Sequence, residues 1–179
     1  ALTPAPSGFD AVRHPAALVA ARHAARVAAN ARAGPRVHAA FSVGHPGDHG
    51  RWDAVLAAPP GEGATPVHEW LREERPAHEL LQFWEATDRG LAAVWGKSVA
   101  HPGLGLDGLT VRFRPYPAGP DVHIAGAPPA AVHHSPDALR RAKQRTIRRI
   151  ATDVRKPGVH PKNAAVILPQ IHNMIDSHA

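Results

Sequence analysis

The sequence predicts an α+β chain, and three observations carry that prediction. Apolar residues at helical spacing recur in stretches that begin or end on Pro and Gly. Two short strand-like runs, Asp107 to Arg114 and Asp121 to Ile124, flank a turn from Pro115 to Pro120. A charged helix then opens at Ser135-Pro136-Asp137, with Ser as N-cap, Pro at the first helical position and an acid in the first turn.

With 179 residues there is room for one domain with a real core, or for a small domain plus an extension. Hydrophobic residues make up 44%, but much of that is Ala, and 19 Pro with 15 Gly predict many loops. Lys and Arg number 21 against 15 Asp and Glu, a net charge of +6 with His neutral. That balance suits a polyanionic partner, and nucleic acid is the usual one. The chain has no Cys, which excludes disulfides and cysteine zinc sites. No apolar run approaches the length of a membrane span and no signal-peptide core is found, so no membrane partner is expected. The first residue is Ala1 rather than Met, as expected of a processed or excised part of something longer.

In chain order, residues 1–13 carry Pro and Gly and are expected to be poorly ordered. Pro15 to Ala33 reads as an Ala-rich helix stopped by Gly34-Pro35, and Val37 to Val43 as a strand ended by Gly44-His45-Pro46-Gly47. Arg51 to Ala58 is ambiguous, and the loop Pro59 to Pro66 is the candidate internal boundary. Val67 to Glu74 and Pro76 to Trp95 read as two helices whose Trp70, Leu71, Leu80, Leu81, Phe83, Trp84, Leu91 and Trp95 supply most of the core bulk. The hairpin follows, then a linker, Ala125 to Ala130. The basic helix should run from Pro136 to about Val154 and end at Pro157-Gly158. Ala164 to Leu168 reads as a short buried strand and Gln170 to His178 as a final helix. These elements group as residues 1–66 (helix and loops), 67–130 (helical and hairpin support) and 131–179 (C-terminal region).

The C-terminal region opens with Ala131-Val132-His133-His134 and closes with Asn163-Ala164-Ala165-Val166-Ile167-Leu168-Pro169-Gln170-Ile171-His172-Asn173. A His pair, an Asn and a further His in that order resemble the His-Asn-His nucleases, in particular the AHH/GHH toxin-type branch and the colicin-type DNases. The resemblance covers roughly the last third of the chain. It implies a C-terminal ββα-metal nuclease module, packed with the N-terminal helical and hairpin region. It also implies one divalent metal ion: His133 as ligand, His134 as the base that activates water, Asn163 as a brace that orients His134, and His172 as a second ligand. A neutral imidazole suits the base role, and the ion would serve as Lewis acid and template.

The third ligand departs from the family pattern, which commonly places a His four residues after the equivalent of His172. Here Asp176 occupies that position, one helical turn on and able to ligate a hard cation, with His178 in reserve. Such a mixed site tolerates Mg, Mn, Zn or Ni. Each feature alone is weak, since the chain has 14 His and an Asn before an apolar run is commonly a turn residue. Arg140, Arg141, Arg145, Arg148 and Arg149, offset only by Asp137 and Asp153, form a face suited to tracking phosphates.

The expected function is a metal-dependent endonuclease that cuts DNA with little sequence preference, the toxic part of a bacterial effector. Such an effector would be secreted or delivered into a target cytoplasm and met there by a cognate immunity protein; a protein that is not a toxin would stay cytoplasmic. The rivals are a ribonuclease using the same site and a basic nucleic-acid-binding protein without hydrolytic activity.

Overall fold

The computed structural model describes residues 2–4, 23, 26–30, 33–34, 37–44, 51–57, 63–101, 103–114, 119–124, 131–133 and 135–177. In chain order they form β1 (Leu2–Pro4), β2 (Val37–Gly44), β3 (Arg51–Ala57), β4 (Thr65–Pro66), α1 (Val67–Trp70), α2 (Ala77–Trp95), β5 (Val99–Ala100), a 3-10 turn (Leu106–Gly108), β6 (Leu109–Phe113), β7 (Pro120–Ile124), β8 (Ala131–Val132), α3 (Pro136–Val154) and α4 (Pro161–Ser177). The α+β class holds.

Three groups of strands are formed, all antiparallel. β3 lies between β1 and β2, β6 lies between β4 and β7, and β5 pairs with β8. The strand expected at 37–43 is β2, and the ambiguous segment after Arg51 is its partner β3. The expected hairpin is β6–β7, pairing Leu109 with Ile124 and Phe113 with Pro120. Asp107 and Gly108 belong to the 3-10 turn that launches it. Of the expected helix from Pro15 to Ala33, the described residues His23 and 26–30 are helical, and the rest lies outside the described residues.

α2 buries Leu80, Phe83, Trp84, Thr87, Leu91, Val94 and Trp95, a spacing of three and four that keeps them on one face. Trp70 from α1 stacks at 5.3 Å on Phe83 and on Phe113, joining α1, α2 and the hairpin. α3 has the expected bounds. Ser135 sits at its N-cap in an extended conformation, though its hydroxyl makes no capping bond, and Pro136 occupies the first turn. One hydrophobic core runs from Val27 to Met174 and takes in the buried faces of α2, α3, α4 and both strands of the hairpin. None of the described helices is long and apolar enough to cross a membrane.

Two expected elements are replaced. The helix expected over Val67–Glu74 stops after one turn, because the carbonyls of Leu71 and Glu73 accept from the side chain of Asn163 instead of from the next helical turn. The strand expected over Ala164–Leu168 is absent: these residues belong to α4. A five-residue apolar run fits a strand or a buried helix equally. What decides is the longer register, in which Asn163, Ile167, Ile171 and Met174 recur at helical spacing and all are buried. The two-stranded arm of a ββα module is therefore not formed by this segment, and β8 pairs with β5 instead.

α4 continues through Pro169, which lies inside the helix and is exposed. Its ring crowds the carbonyl of Ala165 and it offers no N–H to the helix. Replacing it with Ala should raise stability by about 1–3 kcal/mol, read as a higher urea midpoint. A lower midpoint would mean that the docking of α4 depends on Pro169.

Candidate functional site

Of the residues expected to hold a metal, the structure describes His133 and His172, and it sets them apart. The backbone N–H of His133 donates to the carbonyl of Ser98 at 2.8 Å, extending the β5–β8 pair, just before the N-terminus of α3. His172 is exposed, its Nε2 2.9 Å from Nη2 of Arg155, which follows the C-terminus of α3. α3 has 19 residues and so is about 27 Å long, which puts the two imidazoles against opposite ends of it. His134 and His178 lie outside the described residues, as does the side chain of Asp176, whose backbone is in α4. Among the described residues, no three His, Asp or Glu side chains come together as a metal site.

Asn163 is fully buried, and among the described residues it braces backbone; the expected contact with His134 lies outside the described residues. Its Nδ2 donates to the carbonyls of Leu71 at 3.0 Å and Glu73 at 2.7 Å, while its Oδ1 accepts from the N–H of Arg75 at 2.9 Å. These bonds pin the start of α4 to the connection between α1 and α2. The basic face of α3 is present: Arg140, Arg141, Arg145, Arg148 and Arg149 are all exposed. Arg140 reaches Asp137 at 3.5 Å and Arg149 reaches Asp153 at 3.5 Å. Among the described residues, Arg141 and Arg148 have no carboxylate partner.

What the structure does bring together is the loop from His101 to Gly108, laid against α3. Thr146 in α3 is buried and donates from its hydroxyl to the carbonyl of His101 at 2.7 Å. Two turns further along α3, Asp153 is buried and its Oδ2 accepts the N–H of Leu106 at 3.1 Å. Lys156 lies 2.6 Å from the other oxygen of Asp153. Only Gly fits at position 105: a Cβ there would sit 2.1 Å from Oδ2 of Asp153 and 2.9 Å from Oδ1 of Asp107.

Beside this loop opens a cleft of about 230 Å³. Its walls are His68 and Arg72 at α1, Leu106 and Asp107 on the 3-10 turn, and Arg149, Asp153 and Lys156 at the end of α3. The sequence offered little sign of it. Asp153 read as a charge offset on a basic helix and Asp107 as the start of a strand. The usable signal was the Gly spacing 103, 105, 108 ahead of a strand, which marks a loop pressed close to its support.

The sequence matches no family model and no curated protein. In fold, the chain is similar to a solved structure described as WaaP in complex with acyl carrier protein. The TM-score is 0.52 at 14% identity, over 88% of this chain and 74% of that one.

Two outcomes follow from this geometry. Asn163→Ala removes three hydrogen bonds at a fully buried site and should destabilise the chain by about 2–4 kcal/mol in urea unfolding. Asn163→Asp, which aims a carboxylate at two carbonyl oxygens, should lose more. A midpoint unchanged in both would remove Asn163 as the anchor of α4.

Burial holds the His101 imidazole down at about 4, and among the described residues its Nδ1 has no hydrogen-bond partner. Between that value and the ordinary 6.5 the unfolded chain binds a proton that the folded chain refuses. Stability should therefore fall as pH drops through this window, by up to about 3 kcal/mol. His101→Leu should flatten the fall between pH 6.5 and 4 in urea midpoints measured against pH; an unchanged profile would assign the acid sensitivity to other groups.

Proposed function

We propose that this chain is a binding module on a kinase-like fold, without phosphoryl-transfer chemistry, and that it holds a polyanionic partner on the basic face of α3. The WaaP of the similar complex is a kinase-like protein. The observation that carries the reading is the composition of the anchored loop. The catalytic loop of protein kinases has the pattern H-R-D-L-x-x-x-N, with Asp as the base that accepts the substrate proton and Asn as a magnesium ligand. His101-Pro102-Gly103-Leu104-Gly105-Leu106-Asp107-Gly108 keeps the His and the Leu at that spacing. His101 and Leu104 are both buried, as packing positions require.

The two polar positions are Gly103 and Gly108. A glycine accepts no proton from a hydroxyl and offers no side-chain oxygen to magnesium. The kinase pattern also places an Asp of D-F-G after the next hairpin, as a second magnesium ligand. Here the residues following β7 are Ala125-Gly126-Ala127. Phosphoryl transfer depends almost wholly on positioning and on stabilising charge around the metal and the phosphates. Without these three side chains the loop lacks the groups with which a kinase accepts the substrate proton and holds magnesium.

The partner class rests on charge. Arg141, Arg145 and Arg148 project from the exposed side of α3 without carboxylate partners among the described residues, in a chain of net charge +6. DNA or RNA meets such a face through its phosphates, without base readout. Of the site expected for metal-dependent cleavage, His133 and His172 sit at opposite ends of α3, which favours binding without hydrolysis among the sequence-based alternatives.

One set of assays tests this. With magnesium and ATP the purified chain should release no γ-phosphate, and with supercoiled plasmid it should retard the DNA at low salt without nicking it. Replacing Arg141, Arg145 and Arg148 with Ala should weaken that retardation and reduce the salt slope by about two to three units. ATP turnover would overturn the non-catalytic assignment. Nicking that EDTA stops and His172→Ala abolishes would restore the nuclease.

A further inference from the structure

We propose that the cleft between α1, the 3-10 turn and the end of α3 is a binding site for a small phosphomonoester whose body carries hydroxyl or ammonium donors. The site does not depend on the non-catalytic reading above, and of the basic face it takes in Arg149 alone. Its volume of about 230 Å³ is below the roughly 300–1,000 Å³ of drug-sized ligand sites. It admits a phosphorylated small molecule or a phosphorylated side chain.

The charges of the cleft are unevenly matched. Arg149 and Lys156 share the single carboxylate of Asp153, whose Oδ2 is also occupied by the N–H of Leu106. Among the described residues Arg72 has no carboxylate partner, although it lines the same cleft. Three cations thus face two carboxylates, Asp107 and the already engaged Asp153, a surplus of one positive charge that favours an anion. Guanidinium forks match phosphate oxygens two at a time, so Arg72 and Arg149 are the expected clamps. His68 adds an Nδ1 that is buried and without a hydrogen-bond partner among the described residues, a polar atom that a ligand oxygen or N–H would satisfy.

Asp107 shapes the other half of the ligand. It is exposed, lines the cleft and has no ion-pair or hydrogen-bond partner among the described residues. A carboxylate only accepts, so it repels a bare phosphate and favours hydroxyl or ammonium donors on the far side of the molecule. Leu106, Pro157 and Val159 supply apolar surface between the two polar ends.

Titration calorimetry on the full chain tests this with inorganic phosphate, glucose 6-phosphate, O-phosphoserine and unphosphorylated glucose. Both phosphomonoesters should bind, glucose should not, and inorganic phosphate should bind more weakly than either. Arg72→Ala should weaken phosphomonoester binding at least tenfold with an unchanged thermal midpoint, since Arg72 is exposed and ties down no other element. Asp107→Asn should tighten inorganic phosphate and weaken the phosphomonoesters, because it removes the repulsion and the strongest acceptor together. The two phosphomonoesters distinguish a phosphorylated sugar from a phosphorylated side chain as the tighter ligand.

Equal affinity in Arg72→Ala, or equal binding of glucose and glucose 6-phosphate, would overturn the site. Asp107→Asn shifting both ligand classes in the same direction would overturn the donor-bearing body. The variant lacking Arg141, Arg145 and Arg148 should bind glucose 6-phosphate as the parent does. Failure of DNA retardation therefore leaves this proposal standing, and failure of phosphomonoester binding leaves the other.

Discussion

The buried carboxylate of Asp153 is the constraint on which the centre of the molecule depends. A charge out of water is stable only with close counter-charges and filled acceptor sites. Asp153 has its counter-charges in Lys156 and Arg149 and accepts the N–H of Leu106 on Oδ2, so its position and that of the loop are set together. Thr146 lies seven residues earlier on the same face of α3 and holds the carbonyl of His101. The loop is thus fixed at both ends by one helix, and the missing Cβ of Gly105 is what lets it approach. From its far end β6 starts in a defined direction and carries β7 and the aromatic contact between Phe113 and Trp70 with it.

A second tie works across a longer stretch of sequence. Asn163 holds the chain between α1 and α2 through three backbone bonds, and the N–H of His160 takes the carbonyl of Leu71 as well. The exposed pair of Lys162 and Glu74 lies beside these bonds and contributes little, since both side chains are solvated. The tie fixes the segment that carries Arg72, while Asp153 fixes the wall that carries Arg149 and Lys156. Both sides of the cleft are therefore held by buried polar contacts, and their geometry does not wait for a ligand to form it.

How much of this the sequence made legible follows from the range of each interaction. α2, α3 and the β6–β7 hairpin were readable because period, caps and turn residues are local, and α3 ends where Val154 and the Pro157-Gly158 stop predict. The apolar run from Ala164 to Leu168 was misassigned because five residues carry too little period, and Asn163 beside it gave no sign of its partners about ninety residues away. The His pair, the Asn and the last His gave an order along the chain, but order says nothing about which strands pair. β8 pairs with β5, and this sends His133 to one end of α3 while α4 carries His172 to the other. Asp153 and Arg72 were unremarkable in sequence because their importance lies in what is, or is not, opposite them.

The two basic regions along α3 are not separated by distance alone. Arg141 and Arg149 are eight residues apart, a rise of about 12 Å, beyond the screening length of about 8–10 Å at ordinary ionic strength, but Arg148 is the neighbour of Arg149 in the chain. What distinguishes the two regions is their surroundings. Arg141 and Arg148 are solvated and lose their attraction as salt rises, whereas Arg149 borders a cleft beside a buried carboxylate, where screening is weaker. The loop anchored at His101 and Leu106 thus borders a small cleft set by the placement of a few side chains, while the exposed face of α3 is broad and its charges are sensitive to salt.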